Sequence, residues 1–158
     1  MKYRLLGNSG LRVSEAALGT MTFGEEHGWG SGKDEARKVY DAFREAGGNF
    51  IDTANFYTNG TSESFLGEFM KDHRQSMVLA TKYSIAAPGT DPNAAGNHRK
   101  NMMQAVEASL RRLQTDYIDL YWEKHSTRRA KSISDSHITS MPKSLSAQLR
   151  TAACETRS

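Results

Sequence analysis

Cysteine is nearly absent from this sequence of 158 residues, and long apolar runs are absent altogether. The one cysteine, Cys154, excludes a disulfide framework and a zinc site built on several cysteines. No stretch approaches the roughly 20 apolar residues of a membrane span, and the opening MKYRLLGNSG lacks the apolar region of a signal peptide. We therefore expect a soluble, cytoplasmic protein with no membrane partner.

Aromatic residues and glycine are missing from the last part of the chain. All 14 aromatic residues and all 13 glycines lie at or before Trp122. Residues 123–158 hold 8 Ser and 4 Thr and carry a net charge of +4, whereas residues 1–122 carry −1. A segment with so few apolar side chains buries too little surface to offset the entropy of ordering it. We expect an ordered domain over residues 1–122 and a basic, Ser/Thr-rich, mostly disordered tail over residues 123–158.

The charged and metal-binding side chains form no cluster that indicates a nucleic-acid or metal site. The whole chain has a net charge of only +3, and its basic run at residues 128–131 is short and set in a polar tail, where such runs are usually solvated. Its five histidines show no metal-ligand spacing. We expect neither a nucleic-acid partner nor a bound metal.

Strands and amphipathic helices alternate through the first 122 residues. The turn Asn8-Ser9-Gly10 predicts a β-hairpin. Apolar runs predict strands at residues 16–24, 49–54, 77–83 and 117–122. Apolar spacings of three and four predict three helices: 34–46, stopped by Gly47; a second one capped by Thr61 or Ser62, with Phe65, Leu66, Phe69 and Met70 on its face; and a third carrying Met102 or Met103, Val106, Leu110 and Leu113. This order predicts an α/β fold with parallel βαβ units, in a chain too short for a closed eight-stranded barrel of about 250 residues.

Three polar side chains lie at the carboxyl ends of predicted parallel strands or in the loop that follows. Asp52 follows the apolar pair 50–51, and Lys82 follows the apolar run 78–81. Because charges near buried strand ends are best neutralised by each other, we expect these two to form an ion pair. Tyr57 lies five residues after Asp52, and a neighbouring ammonium makes a phenol a stronger proton donor. The three residues form a candidate proton-donating unit, with a purely structural ion pair as the alternative.

Five segments together resemble the N-terminal half of an aldo-keto reductase: YRLLGNSGLRVSEAALGTMTFG, GNFIDTANFY, SESFLGEFM, LATKY and VEASLRRLQTDYIDLYW. The resemblance implies half of a (β/α)₈ TIM barrel that binds NADPH without a Rossmann motif and reduces aldehydes or ketones. It implies Tyr57 as the general acid, Lys82 as the cation that strengthens it, and Asp52 as the anion that holds Lys82. It also implies that Gly19, Thr20, Met21 and Asp52 bind the cofactor.

The sequence departs from the family pattern after Trp122. The family places a histidine five residues after the aspartate of the DLY strand, here Asp119, but position 124 is Lys124 and His125 comes one residue late. Contacts to the adenosine phosphate belong to the second half of the barrel, so we expect NADPH to bind this chain weakly. A shifted reading frame or an aberrant splice near Trp122 explains such a break, and a genuine short protein is the alternative.

Three functions follow from these observations. The first is NADPH-dependent reduction of a small carbonyl substrate. The second is a catalytically inactive fragment of such an enzyme, and the third is a regulatory or binding module without enzymatic activity. Because four parallel strands cannot close a barrel, we also expect self-association through open sheet edges.

Overall fold

A computed structural model describes residues 1–85 and 91–124. Along the chain the strands are β1 (Tyr3–Leu5), β2 (Arg12–Ser14), β3 (Ala17–Gly19), β4 (Phe50–Asp52), β5 (Val78–Tyr83) and β6 (Leu120–Glu123). The helices are α1 (Lys33–Glu45), α2 (Thr61–Met70) and α3 (Arg99–Leu113). The tail predicted to be disordered begins too early, because Glu123 is part of β6 and the N–H of Lys124 bonds to the carbonyl of Tyr83. Residues 125–158 of that tail, His125 among them, fall outside the described residues.

The parallel sheet predicted from the alternation of strands and helices is present. Its four strands run in the order β3-β4-β5-β6, and every neighbouring pair is parallel. The predicted hairpin also forms, with β1 antiparallel to β2 in a separate sheet. The architecture is α/β and corresponds to the first half of a (β/α)₈ barrel, as expected from the sequence.

Successive strand residues face two different apolar layers, as the pleat of a strand requires. Ile51 and Leu79 face the helices, in a core shared with Tyr40, Leu66, Met70, Val106 and Leu113. Phe50, Val78 and Ala80 face the other side, where Leu120 and Val13 of the hairpin strand β2 complete a smaller cluster. The helices therefore cover the outer face of the sheet, and its inner face is the one that a closed barrel would enclose.

The helix boundaries agree closely with the sequence periodicity, except at the start of α2. The end of α1 follows the prediction: Gly47 has a φ of +81°, and its N–H bonds to the carbonyl of Arg44. The prediction of Thr61 or Ser62 as the α2 cap is wrong, because Gly60 is the N-cap, with a φ of +96°. The two hydroxyls are used elsewhere: Thr61 bonds to Glu26, and Ser62 bonds to Thr20.

The outer strands are shorter than their apolar runs. The run at 16–24 yields only β3, because after Gly19 the N–H of Thr20 bonds to the carbonyl of Asp52, at 3.1 Å, and the chain then turns. The run at 117–122 enters the sheet only at Leu120. The carbonyl of Tyr117 accepts a hydrogen bond from Arg74, and the carboxylate of Asp119 accepts one from the N–H of Leu79. The backbone N–H of Asp119 also donates to the carbonyl of Leu79, at 3.2 Å, so side-chain hydrogen bonds supplement the ladder there.

Open sheet edges lead us to expect self-association of the purified chain. Within the described residues, β3 and β6 each have a strand on one side only. Large apolar side chains lie near both edges, with Met21 50% exposed and Trp122 37% exposed. Unpaired edges of this kind template pairing with another chain. Light scattering should report dimers or larger species, and a compact monomer across the micromolar range would contradict the expectation.

Candidate active site

The carboxyl ends of β4 and β5 bring the predicted ion pair together. Asp52 is the last residue of β4, and Lys82 is the next to last of β5. Asp52 lies opposite Ala80 in the register, so Lys82 lies two residues beyond the position opposite Asp52, on the same face of the sheet. The side chain of Lys82 extends back across that distance to Asp52. Its Nζ lies 2.5 Å from Oδ2 of Asp52 and donates a second hydrogen bond, of 3.1 Å, to the carbonyl of Thr53. The ammonium is therefore held at a fixed point on the sheet edge.

A strained loop places Tyr57 over this ion pair. Thr58 and Asn59 have left-handed φ values of +46° and +54°, which non-glycine residues adopt only when the surroundings enforce them. The enforcing contact is a buried hydrogen bond of 2.5 Å from Oγ1 of Thr58 to the carbonyl of Phe23. As a result the buried Tyr57 ring has its centroid 5.4 Å from Nζ of Lys82. The structure thus brings Asp52, Lys82 and Tyr57 together.

The three residues predicted to bind a cofactor at the end of β3 have different environments. Gly19 lies beside Asp52 in the register, and a Cβ built on it meets no atom within 4 Å. Met21 is half exposed. Thr20 is fully buried, and its hydroxyl bonds to the carbonyl of Asp52 at 3.2 Å and to Ser62 at 2.8 Å. Thr20 therefore fixes the β3 and β4 ends relative to α2, whereas Gly19 leaves open space beside the ion pair.

An open groove of about 580 Å³ runs along this sheet edge. Its lining combines the ion pair and the charged end of β6 with apolar surface from Phe50 and Trp122. Within the described ranges, no group of three His, Cys, Asp or Glu side chains is arranged to hold a metal ion. The groove presents proton-donating and aromatic groups to a ligand.

Lys124 occupies the part of the groove next to Tyr57. Its Nζ lies 4.9 Å from the centroid of the Tyr57 ring and 4.5 Å from that of Phe56. Its backbone continues β6, because its N–H donates to the carbonyl of Tyr83 at 3.1 Å and its carbonyl accepts from the hydroxyl of Ser84. Burial, followed by the repulsion of Lys82, holds the pKa of Lys124 below its ordinary value. The position at which the resemblance expects a histidine thus faces the site with a primary amine.

A buried ion pair behind the site was missed by the sequence analysis. Glu63 of α2 is completely buried, and its Oε2 accepts from Arg112 of α3, with Nε at 2.8 Å. Its Oε1 accepts a hydrogen bond of 2.6 Å from Thr81, the residue before Lys82. The signal was available, since Glu63 precedes Leu66 and Met70 by three and seven residues and so lies on the same apolar face. This pair joins two helices to the strand that carries Lys82.

Removing the arginine of this pair should destabilise the fold strongly. In Arg112→Met the buried Glu63 carboxylate keeps only its Thr81 hydrogen bond, so we expect the free energy of unfolding to fall by about 3 kcal/mol. The control is Lys38→Met, which breaks the exposed pair with Glu35 and should leave the free energy of unfolding nearly unchanged. Urea unfolding followed by tryptophan fluorescence measures the free energy of unfolding of both variants. Equal decreases in the two variants would show that the buried pair contributes no more to stability than the exposed one.

Comparison with known proteins agrees with this architecture. The model of the Aldo/keto reductase family matches residues 16–138, which extends beyond Trp122. The chain belongs to the aldo/keto reductase family. It is 44% identical over 133 residues to a norsolorinic acid reductase of Aspergillus flavus, covering 76% of this chain and 34% of that protein. It is also 44% identical over 133 residues to an NADP(+) aryl-alcohol dehydrogenase of Phanerodontia chrysosporium, covering 75% of this chain and 34% of that protein.

The solved structures of aldo/keto reductases share the fold over the same part. The holo form of an aldo-keto reductase from Bacillus halodurans superimposes with a TM-score of 0.67 at 40% identity, covering 78% of this chain and 40% of that one. The chain thus spans about a third of the length of these curated relatives and under half of the solved reductase. Within residues 1–85 and 91–124, no helix is both long and apolar enough to cross a membrane.

Proposed function

We propose that the carboxyl edge of this sheet is the proton-donating half of a site for NADPH-dependent reduction of aldehydes or ketones. The observation that carries the proposal is the convergence of Asp52, Lys82 and Tyr57, in which an anchored ammonium lies 2.5 Å from a carboxylate and 5.4 Å from the centre of a phenol ring. Reactions of this type need a proton delivered to the carbonyl oxygen, and Tyr57, whose ring lies against the groove residues Lys82 and Lys124, is the candidate donor.

Each of the three residues has a separate task in this proposal. The Tyr57 hydroxyl donates its proton to the carbonyl oxygen of the substrate. The Lys82 ammonium stabilises the phenolate that remains. Asp52 and the carbonyl of Thr53 hold Lys82 in place, so the ammonium does not need to be reoriented during the reaction. When bound, NADPH supplies the hydride.

The residues present fit the nicotinamide part of that cofactor. Gly19 leaves its side of the groove open, since a Cβ at this position would meet nothing within 4 Å. Ala17 also lines the groove, so two residues of β3 with small or no side chains leave a flat surface on which the nicotinamide ring can lie. We propose that Gly19 and the exposed Met21 hold the ring, with Thr20 acting through its buried hydrogen bonds to the end of β4.

An aromatic aldehyde is the substrate class that the groove favours. Phe50 and Trp122 line it, and Trp122 is 37% exposed, so an aryl ring has aromatic surface to contact. The names of the relatives are consistent with this class, because they include an aryl-alcohol dehydrogenase and a reductase of norsolorinic acid.

The test completes the barrel. We define the completed barrel as residues 1–124 carrying Lys124→His, joined to the second half of the Bacillus halodurans reductase. It should oxidise NADPH when benzaldehyde is added, measured by the fall in absorbance of the reduced cofactor. The isolated second half is the control. A completed barrel that folds, by circular dichroism and thermal unfolding, yet oxidises no NADPH above this control would contradict the proposal.

The 158-residue chain by itself should bind NADPH weakly. The four described parallel strands supply one half of a barrel, and the resemblance assigns the adenosine-phosphate contacts to the other half. The coverage of relatives therefore favours a second candidate for this polypeptide alone, an inactive fragment. Fluorescence titration decides between them: a dissociation constant of about 1 μM or less, near −8 kcal/mol, would show that the missing contacts are not required.

A further inference from the structure

Among the lysines that the structure describes, Lys124 alone lines the groove without forming an ion pair with a carboxylate. The ion pairs of residues 1–85 and 91–124 include Lys33, Lys38, Lys82 and Lys100 but not Lys124. The side chain lies against two aromatic rings and lines the same groove as Lys82. A primary amine in such a place is accessible to a ligand that enters the groove.

Several charged groups act on this amine. Lys82 of β5 repels its ammonium form, and Asp52 of β4 attracts it. Glu123, its neighbour on β6, also lines the groove, and the phenol of Tyr57 faces it from the loop after β4. The contacts with the two aromatic rings also favour the ammonium form. Burial and Lys82 outweigh the attractions, so the pKa of Lys124 is lowered.

We propose that Lys124 is a nucleophilic amine that captures aldehydes in the groove as a reversible imine. Lysines become nucleophilic when they are desolvated or lie next to another cation. Lys124 is partly buried against the rings of Phe56 and Tyr57, and it lines the same groove as the ammonium of Lys82. Phe50, Phe56 and Trp122 make aromatic aldehydes the favoured ligands. This activity needs no cofactor and does not depend on the reduction proposed above.

The reaction balances without an oxidant or reductant. The lone pair of the neutral Nζ forms a bond to the carbonyl carbon, and the carbonyl π electrons move to the oxygen, which takes up a proton. The nitrogen then loses a proton, giving a neutral carbinolamine. Loss of the hydroxyl group with one proton as water leaves a carbon–nitrogen double bond. The overall change is amine plus aldehyde to imine plus water, and hydrolysis reverses it.

The test traps the imine on the 158-residue chain. The protein is incubated with benzaldehyde and sodium cyanoborohydride at pH 7, without NADPH, and the benzylated lysines are quantified by peptide mass spectrometry. The matched control is Lys38, which is exposed and whose pKa is raised by its hydrogen bond to Glu35. Each unit of pKa difference changes the amine fraction about tenfold. We expect benzylation at Lys124 to be at least about tenfold faster than at Lys38.

Two further measurements separate this chemistry from simple accessibility. In 8 M urea the preference for Lys124 over Lys38 should disappear, because burial and the Lys82 charge act only in the folded chain. Lys124→Arg keeps the positive charge but has no nucleophilic amine, so the preferred adduct should be lost without moving to Lys82. Equal rates at Lys124 and Lys38 in the folded chain, or a preference that persists in urea, would overturn the proposal. A failure of NADPH oxidation in the completed barrel would leave it standing.

Discussion

Tyr57→Phe is expected to lower the turnover of benzaldehyde by the completed barrel by about 10²- to 10⁴-fold, the range over which a positioned acid contributes to a reaction. The phenylalanine ring keeps the buried contacts of the tyrosine, including the packing of its ring against Phe56 at 5.6 Å between centroids. Only the hydroxyl is lost, and with it the proton for the carbonyl oxygen. NADPH oxidation at saturating cofactor measures the change.

A fold defect must be separated from this loss of chemistry. Phe56→Leu is the matched control, since it alters the same loop and the ring that faces position 124 but removes no proton donor. We expect Phe56→Leu to change turnover by less than about tenfold, which is smaller than the roughly 10²-fold loss that a 1 Å misplacement of reacting groups can cause. Full activity in Tyr57→Phe would mean that another group protonates the carbonyl oxygen, and the assignment of the acid would be wrong.

Lys82→Met is expected to produce a loss of similar size in the completed barrel, by a different route. The phenolate left by proton transfer would have no anchored ammonium beside it, and the Asp52 carboxylate would lose its partner. Asp52→Asn should be milder, because Asp52 acts through Lys82, and the carbonyl of Thr53 still accepts a hydrogen bond from that ammonium. The turnover of the three proteins against pH gives the comparison.

The turnover of the folded fraction provides a readout that a structural role would not move. If Lys82 stabilises the phenolate that Tyr57 leaves after proton transfer, Lys82→Met should lower the turnover of the folded protein. An ion pair that only supports the sheet would instead lower the amount of folded protein and leave its turnover unchanged. An unchanged turnover with a reduced yield of folded protein would support the purely structural interpretation of Asp52 and Lys82.

Much of the fold was predictable because local and global signals agree in the first 124 residues. Apolar spacings located α1 to within about a residue and identified the apolar face of α3, and Gly47 marked the end of α1 through its positive φ. The ion pair of Asp52 and Lys82 was predictable for a topological reason. Parallel neighbouring strands end at the same sheet edge, so charges that follow two adjacent strands meet there.

What the sequence did not reveal depends on tertiary contacts. The position of Glu63 on the apolar face of α2 signals a buried carboxylate, but its partner Arg112 comes beside it only when α3 packs against α2. The hydroxyls of Thr61 and Ser62 are of the type that caps helices, yet both instead form hydrogen bonds with residues distant in sequence, Glu26 and Thr20. Lys124 was noted only as the wrong residue for a family position. Its contact with the Tyr57 ring follows from the continuation of β6 along Tyr83, which residue order alone does not predict.

The rate of deuterated alcohol formation with and without the Tyr57 hydroxyl tests the central proposal most directly, namely that this sheet edge donates the proton in a carbonyl reduction. The label shows that the cofactor supplied the hydride, and the rate in Tyr57→Phe reports the loss of the proton donor. The completed barrel is supplied with NADPH deuterated at the nicotinamide C4 position and with benzaldehyde, and the product is analysed by mass spectrometry. We predict benzyl alcohol with one deuterium on the alcohol carbon, formed at a rate that falls about 10²- to 10⁴-fold in Tyr57→Phe. Deuterated alcohol formed equally fast by the Tyr57→Phe protein would contradict the account.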